Sequence, residues 1–320
     1  MKSKSIWKEK TFSLSPFKIQ LALMGTLLWI LLTLPFLYYY WDYPLWKLWG
    51  LARLHHSILM ERIRFHQLLA QPVNTLTNIF FLPPAFIILF TSLSPICDKK
   101  SLTSPPYSTT LPSTSRKWVQ WFSWFSLTLG LTTIFVFGAS LFFHSSFSVL
   151  GDRLDHTAVL ALAWIPFFYA HFRLYCFTSP LNKDFQKKYL LFFPLLFLFQ
   201  ILSFWIVQKI RITKILALLV FYTLFLEWRI RKIRDAGNME KEKKKALNFY
   251  FGGAFLSLFL GAFFWIGDVR KWMGSPNSLF QAHSLWHLFA ALSILFLYLF
   301  YREEFLLFLD SLDPGDSRKE

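Results

Sequence analysis

Eight apolar runs, each close to the length that crosses a bilayer, divide this chain and leave few folds open to it. The first extends from Phe17 to Tyr40, and the others cover about 73–95, 118–146, 154–176, 189–208, 212–230, 248–267 and 280–301. A spanning helix needs on the order of 20 apolar residues. Because 55% of the 320 residues are hydrophobic and only 16% charged, a soluble domain could not hide the apolar surface. The expected fold class is therefore all-α, a polytopic transmembrane helix bundle. The first run is too long for a secretory signal and lacks a small-residue cleavage site, so it reads as an anchor helix. Pro83-Pro84, Pro166 and Pro194 fall inside runs, where neighbouring helices can satisfy the freed carbonyls.

The formal charge of +16 does not point to nucleic acid, because Lys and Arg gather in the short connections between runs. Counted on alternate sides, the connections carry 21 Lys and Arg on the side of the two termini and 9 on the other. The positive-inside rule then places both termini in the cytoplasm, as an even number of helices also requires. Residues 41–72, with Trp46, Trp49, His55, His56, Glu61 and Gln71, are amphipathic and read as an interfacial segment. Residues 101–115 are rich in Ser, Thr and Pro and read as a flexible loop; Glu240–Lys245 reads as a solvated charge run. Cys97 and Cys176 lack metal-ligand spacing and are not expected to pair.

Against this apolar background, two polar constellations stand out. Ser140 and His144 are four residues apart, followed by Asp155; His283 and His287 repeat the spacing far downstream. Residues at i and i+4 share a helix face. With eight helices, all five residues fall near the exoplasmic face at one depth. Ionisable groups at membrane depth are costly and mark function by default. Three histidines can hold zinc and leave a fourth position open for water, the usual catalytic arrangement. Asp155 is placed to act on that water's proton and Ser140 to donate to an oxyanion. Each residue alone has a plainer reading: an interfacial histidine pair, a serine bonded back to its own helix, a solvated turn at Asp152, Arg153 and Asp155. Neither Gly-x-Ser-x-Gly nor His-Glu-x-x-His is present.

Three motifs, in order, resemble the alkaline ceramidase family, within the wider superfamily of seven-helix membrane hydrolases that includes the adiponectin-receptor-like proteins. Gln71-Pro72-Val73-Asn74-Thr75-Leu76-Thr77-Asn78 is similar to that family's Asn-Thr-x-Ser-Asn entry to its first helix. Gly138-Ala139-Ser140-Leu141-Phe142-Phe143-His144 through Leu150-Gly151-Asp152-Arg153-Leu154-Asp155 resembles its Gly-x-Ser-x-x-Phe-His and Leu-Gly-x-x-Leu-Asp. His283-Ser284-Leu285-Trp286-His287 resembles His-x-x-Trp-His, and Trp265-Ile266-Gly267-Asp268 is a weaker echo of Trp-x-x-Asp.

The resemblance implies a seven-helix core plus one additional N-terminal transmembrane helix. The chain then divides into 1–60 (cytoplasmic N-terminus, extra helix and interfacial segment), 61–301 (catalytic bundle) and 302–320 (cytoplasmic tail). It implies zinc on His144, His283 and His287, Asp155 working on the zinc water, and Ser140 assisting. The implied activity is zinc-dependent hydrolysis of ceramide or a similar lipid amide to a free fatty acid and a sphingoid-type amine. Two alternatives stand beside it: a lipid esterase of the same superfamily, or a non-enzymatic receptor with a structural zinc. The partners expected are a membrane lipid substrate and the bilayer, without nucleic acid or an obligate protein partner. His156 stands where eukaryotic members often have Glu. The family's calcium site uses several acids, whereas this chain offers chiefly Asp42 and Glu61, with Gln71 where a Glu often occurs. Calcium regulation is therefore not expected.

Overall fold

The computed structural model describes residues 16–43, 46, 59–64, 66–93, 113–178, 184–210, 212–235 and 241–312. The basic residues before Pro16, His55 and His56, Trp49, Cys97, most of the 101–115 loop, and Arg318 and Lys319 lie outside them. The described residues are helical throughout their length apart from short connections. Helix α1 is Pro16–Tyr40; α2 (Pro72–Thr77) continues through a 3-10 turn (Asn78–Phe81) into α3 (Leu82–Leu93). Then follow α4 (Ser113–Ser146), α5 (Val149–Thr178), α6 (Asp184–Ile206), α7 (Ile212–Asp235), α8 (Lys241–Val269) and α9 (Ala282–Leu312). Six of these are long and apolar enough to cross a membrane: α1, the α2–α3 unit, α4, α5, α8 and α9. The other two expected spans are shorter in apolar content. The apolar part of α6 is Leu191–Ile206, and α7 carries Glu227, Arg229, Arg231, Lys232 and Arg234 in its second half.

Aromatic side chains fill the bundle. Trp121 of α4 stacks on Phe125, Tyr169 and Phe172, and Phe122 stacks on Phe305 of α9 with ring centroids 4.3 Å apart. Helix α9 packs along α8, α4 packs between α3 and α5, and α5 meets both α6 and α7. Helix α1 leans chiefly on α3, where Gly25 lies against the Phe86 ring, and leaves most of its leucines exposed. That exposure suits a helix whose other neighbour is lipid.

One end of the bundle holds a buried ionic network. Arg173 of α5 pairs with Glu227 of α7 and Glu304 of α9, Arg234 reaches Glu304 at 3.2 Å, and Tyr301 donates to Glu227 at 3.3 Å. Arg231 lies over the Phe251 ring, 3.6 Å from its centroid. An apolar cavity of about 90 Å3 between α5, α7, α8 and α9 has Glu227 and Tyr301 in its wall. Sequence proximity to the Glu240–Lys245 run groups Arg231 and Arg234 with the loop cations. The structure instead carries α7 through Asp235 and turns both guanidiniums inward, because an acid and an aromatic ring face them. The excess of cations on the terminal side survives their removal.

Candidate metal centre

His144, His283 and His287 come together at the other end of the bundle. Each offers a nitrogen within 4.8 Å of those of the others, and all three side chains are buried. His144 lies in the last turn of α4; His283 and His287 lie in the first turns of α9. Trp286, between the pair, packs on α8 at Gly261, where an added Cβ would meet the indole at 3.0 Å. The small residue lets α8 and α9 approach closely enough to aim both histidines inward.

Hydrogen bonds orient two of the three rings through Nδ1. The Thr77 hydroxyl donates its only proton to the Val73 carbonyl at 2.9 Å, so at 3.0 Å from His287 Nδ1 it must accept. Gln71 uses Nε2 to donate to the Glu61 carbonyl, so its Oε1 faces His144 Nδ1 at 2.8 Å as an acceptor. His283 Nδ1 faces the Asp268 carboxylate at 3.7 Å, beyond hydrogen-bond length, and neither atom has another partner among the described residues. In the His144 and His287 rings these partners favour the proton on Nδ1 and the lone pair on Nε2. His144 Nε2 is buried and has no hydrogen-bond partner among the described residues. Three buried imidazoles with nitrogens this close, two of them held by hydrogen bonds on Nδ1 and the third facing a carboxylate, are what a metal such as zinc requires of its ligands. The donor set fits the metal.

Ser140 and Asp155 meet across the α4–α5 turn. Ser140, one turn before His144 and so about 6 Å from it along the helix axis, is buried. Other α4 hydroxyls (Ser123, Ser126, Thr128 and Thr133) bond back to their own helix, whereas Ser140 makes no such bond among the described residues and is a neighbour of the Asp155 carboxylate. The turn itself is tight. Phe147 takes φ +47°, Ser148 accepts from the Gly151 amide at 3.0 Å, and a Cβ on Gly151 would meet the Phe143 Cα at 2.8 Å. Only glycine at 151 allows α5 to start so close to α4. Asp152 and His156 pair with each other at 3.5 Å on a more exposed side of α5. Gly138 of the same motif faces open space, and the structure offers no steric reason for it.

Sequence reading overlooked the residues that orient the histidines. In the sequence Gln71 and Thr77 stand out only as members of a motif, Gln71 also as a departure from it, and Asp268 as a faint echo. Residues 59–64 and 66–71, part of the segment expected to be interfacial, form an irregular strap with Leu59, Glu61, Leu68, Leu69, Ala70 and Gln71 buried. Ala70 and Gln71 donate to the Ser145 and His144 carbonyls, occupying acceptors that the end of α4 leaves open. Burial raises the Glu61 carboxyl above the usual glutamate range, and the Asn74 and Val73 amides draw it back. The only signal pointing to these roles was polarity next to Pro72 and after Trp265.

The family model described as Ceramidase matches residues 63–306, a span that holds the three histidines, Gln71, Thr77, Asp268, Ser140 and Asp155 but begins after Glu61. No curated protein and no solved structure matches the chain.

Proposed function

Because the chain belongs to the ceramidase family, whose members hydrolyse the amide bond of ceramide, we propose that it is an intramembrane zinc-dependent amidohydrolase. It cleaves the N-acyl bond of ceramide or a similar lipid amide, giving a free fatty acid and a sphingoid-type amine. The observation that carries the proposal is the set of three buried imidazoles, two with hydrogen-bonded partners on Nδ1 and the third facing the Asp268 carboxylate at 3.7 Å. Zinc held there by His144, His283 and His287 would supply Lewis acidity, polarising a carbonyl and making water easier to deprotonate.

The remaining chemistry belongs to the chain. As water oxygen bonds to the amide carbon, Asp155 takes the water proton; when the carbon–nitrogen bond breaks, Asp155 returns it to the leaving nitrogen. Ser140 neighbours Asp155 and can donate to its carboxylate. We assign the same hydroxyl to the developing oxyanion, since a protonated Asp155 no longer needs the donor. No calcium is invoked, because the strap is tied by protein hydrogen bonds. The cation excess favours placing both termini in the cytoplasm and the centre near the exoplasmic face.

Zinc content of purified protein, measured alongside fatty-acid release from labelled ceramides and matched esters, tests the reading. About one zinc per chain is expected, lost in His283→Ala and in His287→Ala together with amide cleavage. Full zinc in both variants would remove these residues from the centre, and preference for the ester would replace the amide.

A further inference from the structure

The strap before α2 touches the outer partners of two different histidines. Its centre is Glu61, which is 2% exposed. One carboxylate oxygen accepts from the Val73 amide at 2.8 Å and the other from the Asn74 amide at 2.9 Å. These are first-turn donors of α2, a helix that starts on Pro72 and has no side-chain cap from Gln71. The Glu61 carbonyl accepts from Gln71 Nε2 at 3.2 Å, and that same amide holds His144 through Oε1. On the other side, the Met60 amide donates to Asp268 Oδ1 at 3.3 Å, while Asp268 Oδ2 faces His283. The Arg62 amide closes the strap onto the α8–α9 connection through the Pro276 carbonyl.

We propose that Glu61 is a positioning residue for the metal centre. Its carboxylate fixes the first turn of α2, and with it Gln71 against His144, while the adjoining backbone fixes Asp268 against His283. This rests on the reading of the three histidines as metal ligands. A neutral glutamine at 61 keeps the shape but cannot do the same work. It offers one acceptor where two amides need one each, and its own NH2 would confront a backbone N–H. Both oxygens are used, so the requirement is for a carboxylate with the reach of glutamate. Outer partners of metal-bound histidine change metal affinity when lost, typically by about 10- to 100-fold. Glu61 acts one step further out but on two ligands together.

Zinc transfer from the full-length protein in nanodiscs to a chromogenic chelator, with the visible spectrum of the cobalt-substituted protein, separates positioning from mere stability. Glu61→Gln should release zinc about 10-fold faster or more and shift the cobalt bands. Glu61→Asp, charged but too short to reach both amides, should fall between it and wild type, and carries the test if Glu61→Gln does not fold. Trp121→Leu, in the aromatic core, serves as a destabilised control: it should melt earlier yet keep wild-type release and spectrum. Wild-type release and spectrum in Glu61→Gln would overturn the proposal while leaving the three-histidine centre standing. So would equal acceleration in Trp121→Leu, which would reduce Glu61 to a stability residue. A wild-type protein that takes up neither zinc nor cobalt would overturn both readings.

Discussion

Replacing Arg173 by methionine should be among the most damaging single changes outside the metal centre. Arg173 is 5% exposed and lies between Glu227, 1% exposed, and Glu304, 5% exposed. Without it Glu304 keeps Arg234 at 3.2 Å, but among the described residues Glu227 keeps only the Tyr301 hydroxyl at 3.3 Å. Orphaning one partner of a buried ion pair costs about 3–5 kcal/mol. The surviving tyrosine bond, roughly 1 kcal/mol, places the expected loss near the lower end, about 3 kcal/mol. Removing both charges is cheaper, because no carboxylate is then stranded. Arg173→Met with Glu227→Gln should recover about 1–2 kcal/mol of that loss. Equilibrium unfolding in mixed micelles, followed by far-UV helicity, measures both. A single variant within about 1 kcal/mol of wild type, or a double variant no better than the single, would refute the argument that Glu227 depends on Arg173.

Three other outcomes bear on the chemistry and its orientation. Asp155→Asn should fold and keep its zinc while ceramide turnover falls about 100-fold or more; undiminished turnover would move the proton-transfer role elsewhere, with Asp152 and His156 next in line. Ser140→Ala should retain zinc and lose roughly 10- to 1,000-fold in turnover, whereas an acyl group trapped on Ser140, or unchanged turnover, would overturn its assignment to the oxyanion. Cysteine labels at Lys4 and Ser317 should react only from the cytoplasmic side and a label at Asn277 only from outside; Asn277 and Ser317 reacting from one side would show that the last expected span does not cross the membrane.

The parts of this molecule legible in its sequence were those written in local patterns. Length and apolarity announce the helices, and spacing of four residues puts His283 beside His287 and Ser140 beside His144. A turn as short as the one at Phe147 then forces Asp155 towards Ser140. What the sequence hid depends on encounters between distant segments. Gln71 and His144 are 73 residues apart, and Thr77 and His287 are 210 apart. No periodicity relates such pairs, so the outer partners of the centre became visible only in the fold. Charge misled for a related reason. Arg231 and Arg234 sit beside a solvated basic run in the chain but meet Phe251 and Glu304 in space. Glu61 likewise counted as one of few acids before the first core helix, and instead caps that helix.

The placement of His283 and His287 on the last helix has a consequence for biogenesis. A chain emerging from the ribosome carries His144 and its Gln71 partner through most of synthesis, yet two of the three ligands enter the membrane only with α9. Until that helix inserts and pairs with α8, there is nothing to close around a metal. On the proposed reading, a chain truncated before α9 would lack two of its three metal ligands and should show neither metal uptake nor hydrolysis.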